Sequence, residues 1–325
     1  MTPFLIISNC QVQPLKHGLA QLCRGAEIES VGIHVIPPAE RQKVLADLVA
    51  RRKAFKFVLT VPLSEDYGPL SSARISDAFF PTPVFSITNL TFRGVHPDIT
   101  YIGGLSQRAP GPIGDYHSLI ALLSFLMGLT PEQAVMLYCD AVYSRMGFYE
   151  EFAESLAELK RRDEETTIPI GDDLEHLVRQ GLSFLSHNHP TSFVLAPYVN
   201  KIAAWLAERG HVSLTGLHIQ PSEMINFLAN STIFPIYPEI VAHHDLAYEG
   251  SYVFRTPTYG DLPAKTFSLL EFVRGEHEAF RHADGKSLRD SYPGNLLMMK
   301  FGENKEFQAL VQSLVQGVST NVAAK

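Results

Sequence analysis

The chain has 325 residues, of which 46% are apolar and 19% are charged, an ordinary composition for a globular protein with a sizeable core. Its formal net charge of -7 argues against general binding to nucleic acid or to anionic membranes, because both need a basic surface. Three cysteines are too few for a secreted disulfide scaffold, so a reduced, cytoplasmic setting is expected. The sequence predicts no signal peptide, because its first apolar run is short and has no basic region before it, and no membrane span, because it lacks a run of 18 apolar residues.

The first apolar run, residues 4–7, ends on four polar or reactive side chains, Ser8, Asn9, Cys10 and Gln11. This pattern predicts a buried strand with a thiol, that of Cys10, just beyond its carboxyl end. Apolar residues then recur at helical spacing from Val12 onward, so Cys10 is expected at a strand-to-helix switch. A helix N-terminus favours negative charge and would lower the pKa of the Cys10 thiol. Cys10 is therefore a candidate nucleophile, and the alternative is a small apolar side chain that closes a core strand.

Strands and helices alternate in the next part of the chain. Further strands are predicted over residues 28–36, 57–61 and 84–87, with a helix around residues 44–49 and a polar loop before the last strand. This alternation indicates an α/β fold, with an N-terminal, largely parallel sheet and crossover helices. Ligands of such sheets bind outside the carboxyl ends of the strands, which is where Cys10 is expected.

Residues 89–118 are rich in Gly and Pro yet carry many polar side chains, which predicts a long functional loop. His96 lies two residues from Asp98, and His117 lies two residues from Asp115, so each imidazole has a carboxylate close by. The alternative is that both aspartates are turn or cap residues. We favour Asp115 as the N-cap of a helix that begins near Ser118, although the two roles are compatible.

From residue 119 onward the chain is predicted to be helix-rich and to pack on the sheet. Residues 119–127 are almost wholly apolar, and Thr130 with Pro131 marks the start of the next helix. Further helices are expected over residues 148–162, 173–185, 199–209 and 265–281. Because no linker marks a boundary, a single domain over residues 1–325 is expected, with an α/β core (1–118) that holds the strand-end cleft and a mainly helical part (119–325).

A polar segment, residues 186–191, lies between two of these helical stretches. Pro190 biases His189 toward an extended backbone, from which its imidazole can reach a strand-end nucleophile as a general base. The alternative is a helix C-cap and turn in which His187 binds the last carbonyl groups. No metal is expected, because the adjacent side chains of residues 243–245 are more typical of a helix end than of a zinc site.

Five motifs in one order carry a resemblance to a known family: Ser8-Asn9-Cys10-Gln11, Arg93-Gly94-Val95-His96-Pro97-Asp98, Gly114-Asp115-Tyr116-His117-Ser118, Asn188-His189-Pro190 and Tyr237-Pro238-Glu239. Over roughly residues 4–280 the chain resembles the WcbI-type polysaccharide-biosynthesis acetyltransferases. The resemblance implies a coenzyme-A-binding enzyme that acetylates a sugar of a capsular or related polysaccharide. Its expected partners are acetyl-CoA and a carbohydrate acceptor, and the sequence leaves homo-oligomer formation open.

The resemblance also implies roles for particular residues. His189 would be the general base, the Gln11 N–H and the helix start would stabilise an oxyanion, and Cys10 would either carry the acetyl group or line the thioester site. Asp115 and His117 complete the expected catalytic set. Coenzyme A is expected to contact Asn9, Gln11, Arg93, His96, Arg108 and Asn188.

Two alternatives come from other classes of protein. A looser likeness to SGNH-type esterases suggests a thiol esterase that deacetylates carbohydrate, with Cys10 in place of serine and His189 as the base. Its orienting acid would be Asp115 or Asp98, because Ser186 stands where an aspartate is expected. The other alternative is a non-catalytic subunit that binds coenzyme A or a nucleotide, in which Cys10 only packs.

Overall fold

The structure is a computed structural model that describes residues 2–104, 107–258, 260, 263–283 and 285–322. The chain divides into two compact units. Unit 1 comprises Met1–Thr91, Leu156–Phe184 and Asn188–Ala229, and unit 2 comprises Phe92–Ser155, Leu185–His187 and Asn230–Lys325. The expected single domain, with its division at residue 118, stays a prediction.

Unit 1 contains a parallel four-stranded sheet. Its strands are β1 (Thr2–Ser8), β2 (Ala26–Gly32), β3 (Val58–Thr60) and β4 (Val84–Ser86), in the order β2-β1-β3-β4. The four apolar residues of β1, from Phe4 to Ile7, are fully buried. A continuous apolar run is what an inner parallel strand needs, because both of its faces are covered. The buried first strand predicted from the sequence is therefore confirmed.

The helices of unit 1, numbered along the whole chain, are α1 (Val12–Leu22), α2 (Arg41–Ala50), α3 (Ser72–Phe79), the C-terminal part of α7 (Glu151–Asp163), α8 (Gly171–Gln180) and α9 (Ser192–Glu208). α1 packs on β1, β2 and α9. Gly18 permits the close approach to α9, since a Cβ atom there would lie 2.7 Å from Val199 Cγ1.

Helix α3 was missed, because only a polar loop was predicted before the strand at residues 84–87. Its polar residues face solvent, whereas Ile75 and Phe79, four positions apart, are fully buried. The other helices of unit 1 were predicted at nearby residues, and α9 begins seven residues earlier than expected, at Ser192. Its N-cap, Thr191, accepts a hydrogen bond from the Phe193 N–H.

Unit 2 is helix-rich. Its helices are α4 (Leu119–Leu126), α5 (Pro131–Val135), α6 (Asp140–Met146), the start of α7, α10 (Pro238–His243), α11 (Leu269–His282), α12 (Gly285–Asp290), α13 (Tyr292–Leu297) and α14 (Lys305–Val322). Short antiparallel pairs join β5 (Ile99–Thr100) to β8 (His117–Ser118), β6 (Gly103–Gly104) to β7 (Gln107–Arg108) and β9 (Phe254–Arg255) to β10 (Thr266–Phe267).

Several sequence signals are confirmed in unit 2. Thr130 forms a capping box with Gln133 at the start of α5, with Pro131 in the first helical position. His243 is the last residue of α10, which confirms the predicted helix end at residues 243–245. With a parallel sheet near the N-terminus and a helix-rich C-terminal part, the predicted α/β class is confirmed.

Neither a membrane-spanning helix nor a metal-binding cluster is present among the described residues. Within those ranges, no helix has the length and the apolar character that crossing a bilayer demands. Among the same residues, no three side chains of His, Cys, Asp or Glu come together in a way that could hold a metal ion.

Candidate functional site at the carboxyl end of the first strand

Cys10 lies at a topological switch point. β1 ends at Ser8 and α1 begins at Val12, so the predicted strand-to-helix switch at Cys10 is confirmed. The strands that pair with β1 lie on opposite sides of it: β2 follows on one side, and β3 returns to the other. In open parallel sheets the carboxyl end of the strand at such a reversal is where ligands bind.

Asn9 fixes the turn that carries the thiol. Its Oδ1 accepts a hydrogen bond from the Gln11 N–H at 3.0 Å, and its Nδ2 donates to Asn89 Oδ1 at 2.9 Å. The Asn9 carbonyl accepts from the Val12 N–H at 3.1 Å. Side chains of Asn commonly bond the backbone two residues on in this way and so stabilise tight turns. Asn9 therefore positions Cys10 by holding the residues on both sides of it.

The expected oxyanion role of the Gln11 N–H needs correction. In this structure that N–H donates to Asn9 Oδ1, so it is not available to a ligand. Sequence alone could not reveal this, because it depends on the rotamer of a neighbouring side chain.

The Gln11 side chain is fully buried and joins three segments of unit 1. Its Nε2 donates to the Leu90 carbonyl at 2.8 Å and to the Asn188 carbonyl at 3.2 Å. Its Oε1 accepts from the Leu90 N–H at 3.3 Å. The amide thus pairs with both backbone groups of Leu90, as a neighbouring strand would, and it reaches the polar segment that contains His189.

The Cys10 thiol lies against the same carbonyl group. Its Sγ is 3.9 Å from the Asn188 oxygen, the acceptor that it shares with Gln11. Burial raises the pKa of the Cys10 thiol to about 11, and a bond from its own backbone N–H offsets only part of that effect. The predicted lowering of this pKa by the helix start is therefore wrong. Cys10 is a protonated thiol at neutral pH.

The other cysteines lie in different surroundings. Cys23, the C-cap of α1, is buried, and burial raises its pKa to about 11. Cys139 is the N-cap of α6 and is half-buried. Of the three thiols, Cys10 is therefore the one at the carboxyl edge of the sheet.

His189 lies in a loop whose ends are tied together. The Thr191 N–H donates to the Ser183 carbonyl at 2.8 Å, and Phe184 and Pro190 form an antiparallel bridge. The His189 side chain is buried, with 9% exposed. Because His189 directly follows Asn188, whose carbonyl touches the Cys10 thiol, it is the imidazole of unit 1 nearest to that contact along the chain.

Arg108 and Asp115 come together in unit 2. Arg108 Nη1 lies 2.7 Å from Asp115 Oδ2, and its guanidinium stacks 3.5 Å from the centre of the Tyr101 ring. The Tyr101 hydroxyl is 3.3 Å from His187 Nε2, and Tyr116 packs edge-on against the same imidazole. This half-buried cluster of a cation and aromatic rings was not predicted, since the sequence separates its members by up to 86 residues.

The predicted capping role of Asp115 is wrong. Ser118 caps α4, because its side chain accepts from the Ala121 N–H at 3.0 Å. Asp98 also accepts from the Ile120 N–H at 2.9 Å. Asp115 pairs with Arg108 instead.

The remaining predicted residues of unit 2 lie in separate places. Arg93 pairs with Glu151 at 3.4 Å. His96 is buried, and burial lowers its pKa to about 3, so the ring is neutral. His117 is fully buried, with one ring nitrogen 2.9 Å from Glu276 and the other 3.0 Å from a backbone carbonyl. We therefore infer a structural role for His117.

Comparison with known proteins identifies the family of the chain. The family model described as "Polysaccharide biosynthesis enzyme WcbI" matches residues 3–211, well over half of the chain. The chain therefore belongs to the WcbI family of polysaccharide biosynthesis enzymes. No curated protein matches its sequence.

One solved structure shares the fold over nearly the whole chain. It is WcbI, described as a novel polysaccharide biosynthesis enzyme, in a native form without the disulfide bond between coenzyme A and one of its cysteines. The match covers 97% of this chain and 99% of that one, with a TM-score of 0.64 and 16% sequence identity.

Proposed function

We propose that the chain is a coenzyme-A-dependent O-acetyltransferase that acts on a sugar of a capsular or related polysaccharide. The observation that carries the proposal is the place of Cys10, a thiol held at the switch point of a parallel sheet. Membership of a polysaccharide biosynthesis family supports the acceptor class. The related structure, whose description pairs coenzyme A with a cysteine, supports the acyl carrier.

In the proposed reaction Cys10 lines the thioester site and is not itself acylated. A thiol whose pKa is near 11 is almost wholly protonated at neutral pH and is a poor nucleophile. His189 would accept the proton of the sugar hydroxyl while that oxygen bonds to the acetyl carbon. The thioester C–S bond then breaks, and the sulfur that leaves with coenzyme A takes up a proton. The acetyl group thus moves to the sugar in one direct transfer.

Asn9 and Gln11 would act by positioning. Their hydrogen bonds hold the backbone on both sides of Cys10 and fix the Asn188 carbonyl beside the thiol. In unit 2, the Arg108 guanidinium lies over the aromatic ring of Tyr101. Such a pair suits the planar base or the phosphates of a nucleotide, and we propose it as a contact for coenzyme A.

A second candidate is a subunit that binds coenzyme A without catalysis. Two observations favour it: the raised pKa of Cys10 and the use of the Gln11 N–H within the turn. Both describe a thiol that is packed rather than activated.

The test is acetyl transfer from acetyl-CoA to sugar acceptors by wild-type protein, His189→Ala and the exposed control His218→Ala. A positioned base contributes roughly 10²–10⁴-fold in rate, so His189→Ala should lower turnover at least 100-fold while coenzyme A still binds. His218→Ala should match the wild type. Equal loss of turnover and binding in His189→Ala would refute the base assignment.

Two other outcomes would replace the proposal. Coenzyme A binding without transfer to any sugar would favour the non-catalytic subunit. Release of acetate from an activated ester, with no thermal shift on adding coenzyme A, would favour the thiol esterase.

A further inference from the structure

Unit 1 has a cavity on the same edge of the sheet as Cys10. Its volume is about 390 Å³, within the range of roughly 300–1,000 Å³ that is usual for small-molecule sites. The lining includes Thr60 and Ser86, the last residues of β3 and β4. Ser72 and Ser76 of α3 and the two arginines at the end of α7, Arg161 and Arg162, also line it.

The arginines differ in how far they are neutralised. Arg161 is exposed and makes two hydrogen bonds to Glu158, at 2.8 and 2.9 Å. Arg162 is half-buried, and its nearest contact with Glu158 is 3.7 Å, too long for a hydrogen bond. It donates to the Thr91 carbonyl at 3.0 Å, and its Nε is buried without a hydrogen-bond partner in the described structure.

Arg162 therefore has hydrogen-bonding capacity to spare. A guanidinium has five N–H donors in a fixed fork, suited to phosphate or carboxylate oxygens. Burial lowers the pKa of Arg162, because nearby carboxylates offset only part of the loss of solvent. Glu165, which also lines the cavity, carries the opposing charge on its exposed rim. An anionic ligand would add a partner for the guanidinium N–H groups that the Thr91 carbonyl and the 3.7 Å ion pair with Glu158 leave unused.

Helix α3 adds a second feature that favours anions. It follows β3, so its N-terminus lies at the carboxyl edge of the sheet, where N–H groups and the helix dipole attract negative charge. Its N-cap, Ser71, makes no side-chain capping bond. The first turn of α3, with Ser72 and Ala73, lines the cavity.

From these observations we propose that the cavity binds a phosphate group of a nucleotide, with Arg162 as its main anchor. β4 lies two strands from β1, which places the cavity about 10 Å from the end of the Cys10 strand. The phosphate comes from the nucleotide part of coenzyme A or from a nucleotide-activated sugar. Only this choice of source rests on the proposed function.

The test is calorimetric titration with adenosine 3′,5′-bisphosphate and with uridine diphosphate, using adenosine as the phosphate-free control. Ser76→Glu adds a negative charge to the lining at an exposed position and should preserve the fold. Ser213→Glu adds the same charge at an exposed position of unit 1 that does not line the cavity. Arg162→Lys removes the forked N–H donors of the guanidinium but keeps the positive charge, whereas Arg162→Gln removes both.

At least one nucleotide should bind the wild type and Ser213→Glu equally, and bind Ser76→Glu and Arg162→Gln at least ten-fold more weakly. Arg162→Lys should lie between them, because it keeps the charge without the fork. Preference for the adenosine bisphosphate assigns the site to coenzyme A, and preference for uridine diphosphate assigns it to an activated sugar.

Equal binding by Ser76→Glu and Ser213→Glu, or no binding of either nucleotide, would overturn the inference. Its failure is distinct from failure of the proposed function. If no acetyl transfer is found but nucleotide binding depends on Arg162, the transferase proposal fails and the phosphate site stands.

Discussion

The turn after β1 and the interior of unit 2 are both dense in polar side chains, but they differ in chemistry. The turn uses neutral amides: Asn9, Gln11 and Asn89 bond one another and nearby backbone groups. The interior of unit 2 uses ionisable groups: Asp98 is a fully buried carboxyl, and the buried imidazole of His117 faces Glu276.

This difference predicts different responses to pH. Amides do not titrate, so the geometry around Cys10 should hold across the neutral range. In unit 2, burial raises the pKa of Asp98 to about 7, although bonds from Ser118, Tyr237 and Ile120 favour its charged form. The turn that holds Cys10 is thus built from side chains that do not themselves exchange protons.

The largest expected effect is the loss of the Gln11 amide. Gln11→Ala removes two buried hydrogen bonds with the backbone of Leu90 and one half-buried bond to the Asn188 carbonyl, which keeps its contact with the Cys10 thiol. Loss of the amide partner costs about 1–3 kcal/mol for each of the two buried Leu90 groups, so the free energy of unfolding should fall by roughly 3–5 kcal/mol. Urea unfolding at pH 5.5 and 8 would measure the change, which should be about the same at both values.

The matched control is Gln13→Ala, an exposed position on α1. It should change the free energy of unfolding by less than about 0.5 kcal/mol. A strong pH dependence of the Gln11→Ala effect would show that ionisable groups take part in the turn. It would contradict the contrast between the turn and the interior of unit 2.

The next effect concerns Asp98 and should depend on pH. A carboxyl whose folded pKa is raised to about 7 contributes stability that is fully present below about pH 4 and is lost as pH rises through 7. Asp98→Asn keeps the acceptor for the Ile120 N–H but cannot ionise. Relative to the wild type, the variant should gain about 2–4 kcal/mol of unfolding free energy between pH 4.5 and 8.

Urea unfolding of both proteins at the two pH values gives this difference directly. If the two proteins differ in unfolding free energy by the same amount at both pH values, Asp98 has the same protonation state when folded and unfolded. That result would contradict the raised pKa of this carboxyl.

The smallest predicted effect is on the reactivity of Cys10. At pH 8 a thiol of pKa near 11 has only about 0.1% thiolate, against roughly a quarter for a free thiol of pKa about 8.5. Iodoacetamide should therefore alkylate Cys10 roughly 200-fold more slowly than a model thiol, as followed by peptide mass. Labelling in urea supplies the control, where Cys10 and Cys23 should react alike. Fast labelling of native Cys10 would contradict the raised pKa and support an activated thiol.

The place of Cys10 could be predicted from sequence because it depends on local pattern. An apolar run that ends abruptly, followed by helical spacing, fixes the end of β1 and the start of α1. Its reactivity could not be predicted, since the pKa reflects burial by segments as distant as Asn188. The Gln11 side chain was missed for the same reason, because its partner Leu90 lies 79 residues away.

The caps show a second limit. Asp115 and Ser118 are both residue types that cap helices well, and they lie three positions apart. The helix begins at Leu119, so Ser118 is its N-cap, and Asp115 pairs with Arg108 instead. An ion pair between residues seven positions apart in a loop has no contiguous signature, whereas Thr130 before Pro131 was recognised because the whole signal is contiguous.

The central claim, that Cys10 lines the site of the thioester, is tested most directly by ligand protection. The rate of iodoacetamide labelling would be measured at pH 9.5, where Cys10 reacts measurably, with and without saturating coenzyme A whose sulfur has been carbamidomethylated beforehand, so that the ligand does not consume the reagent. Peptide mass would report Cys10 and the half-buried Cys139 separately. We predict that coenzyme A slows labelling of Cys10 at least ten-fold and leaves Cys139 unchanged. Equal labelling of Cys10 with and without bound coenzyme A would contradict its place at the thioester site.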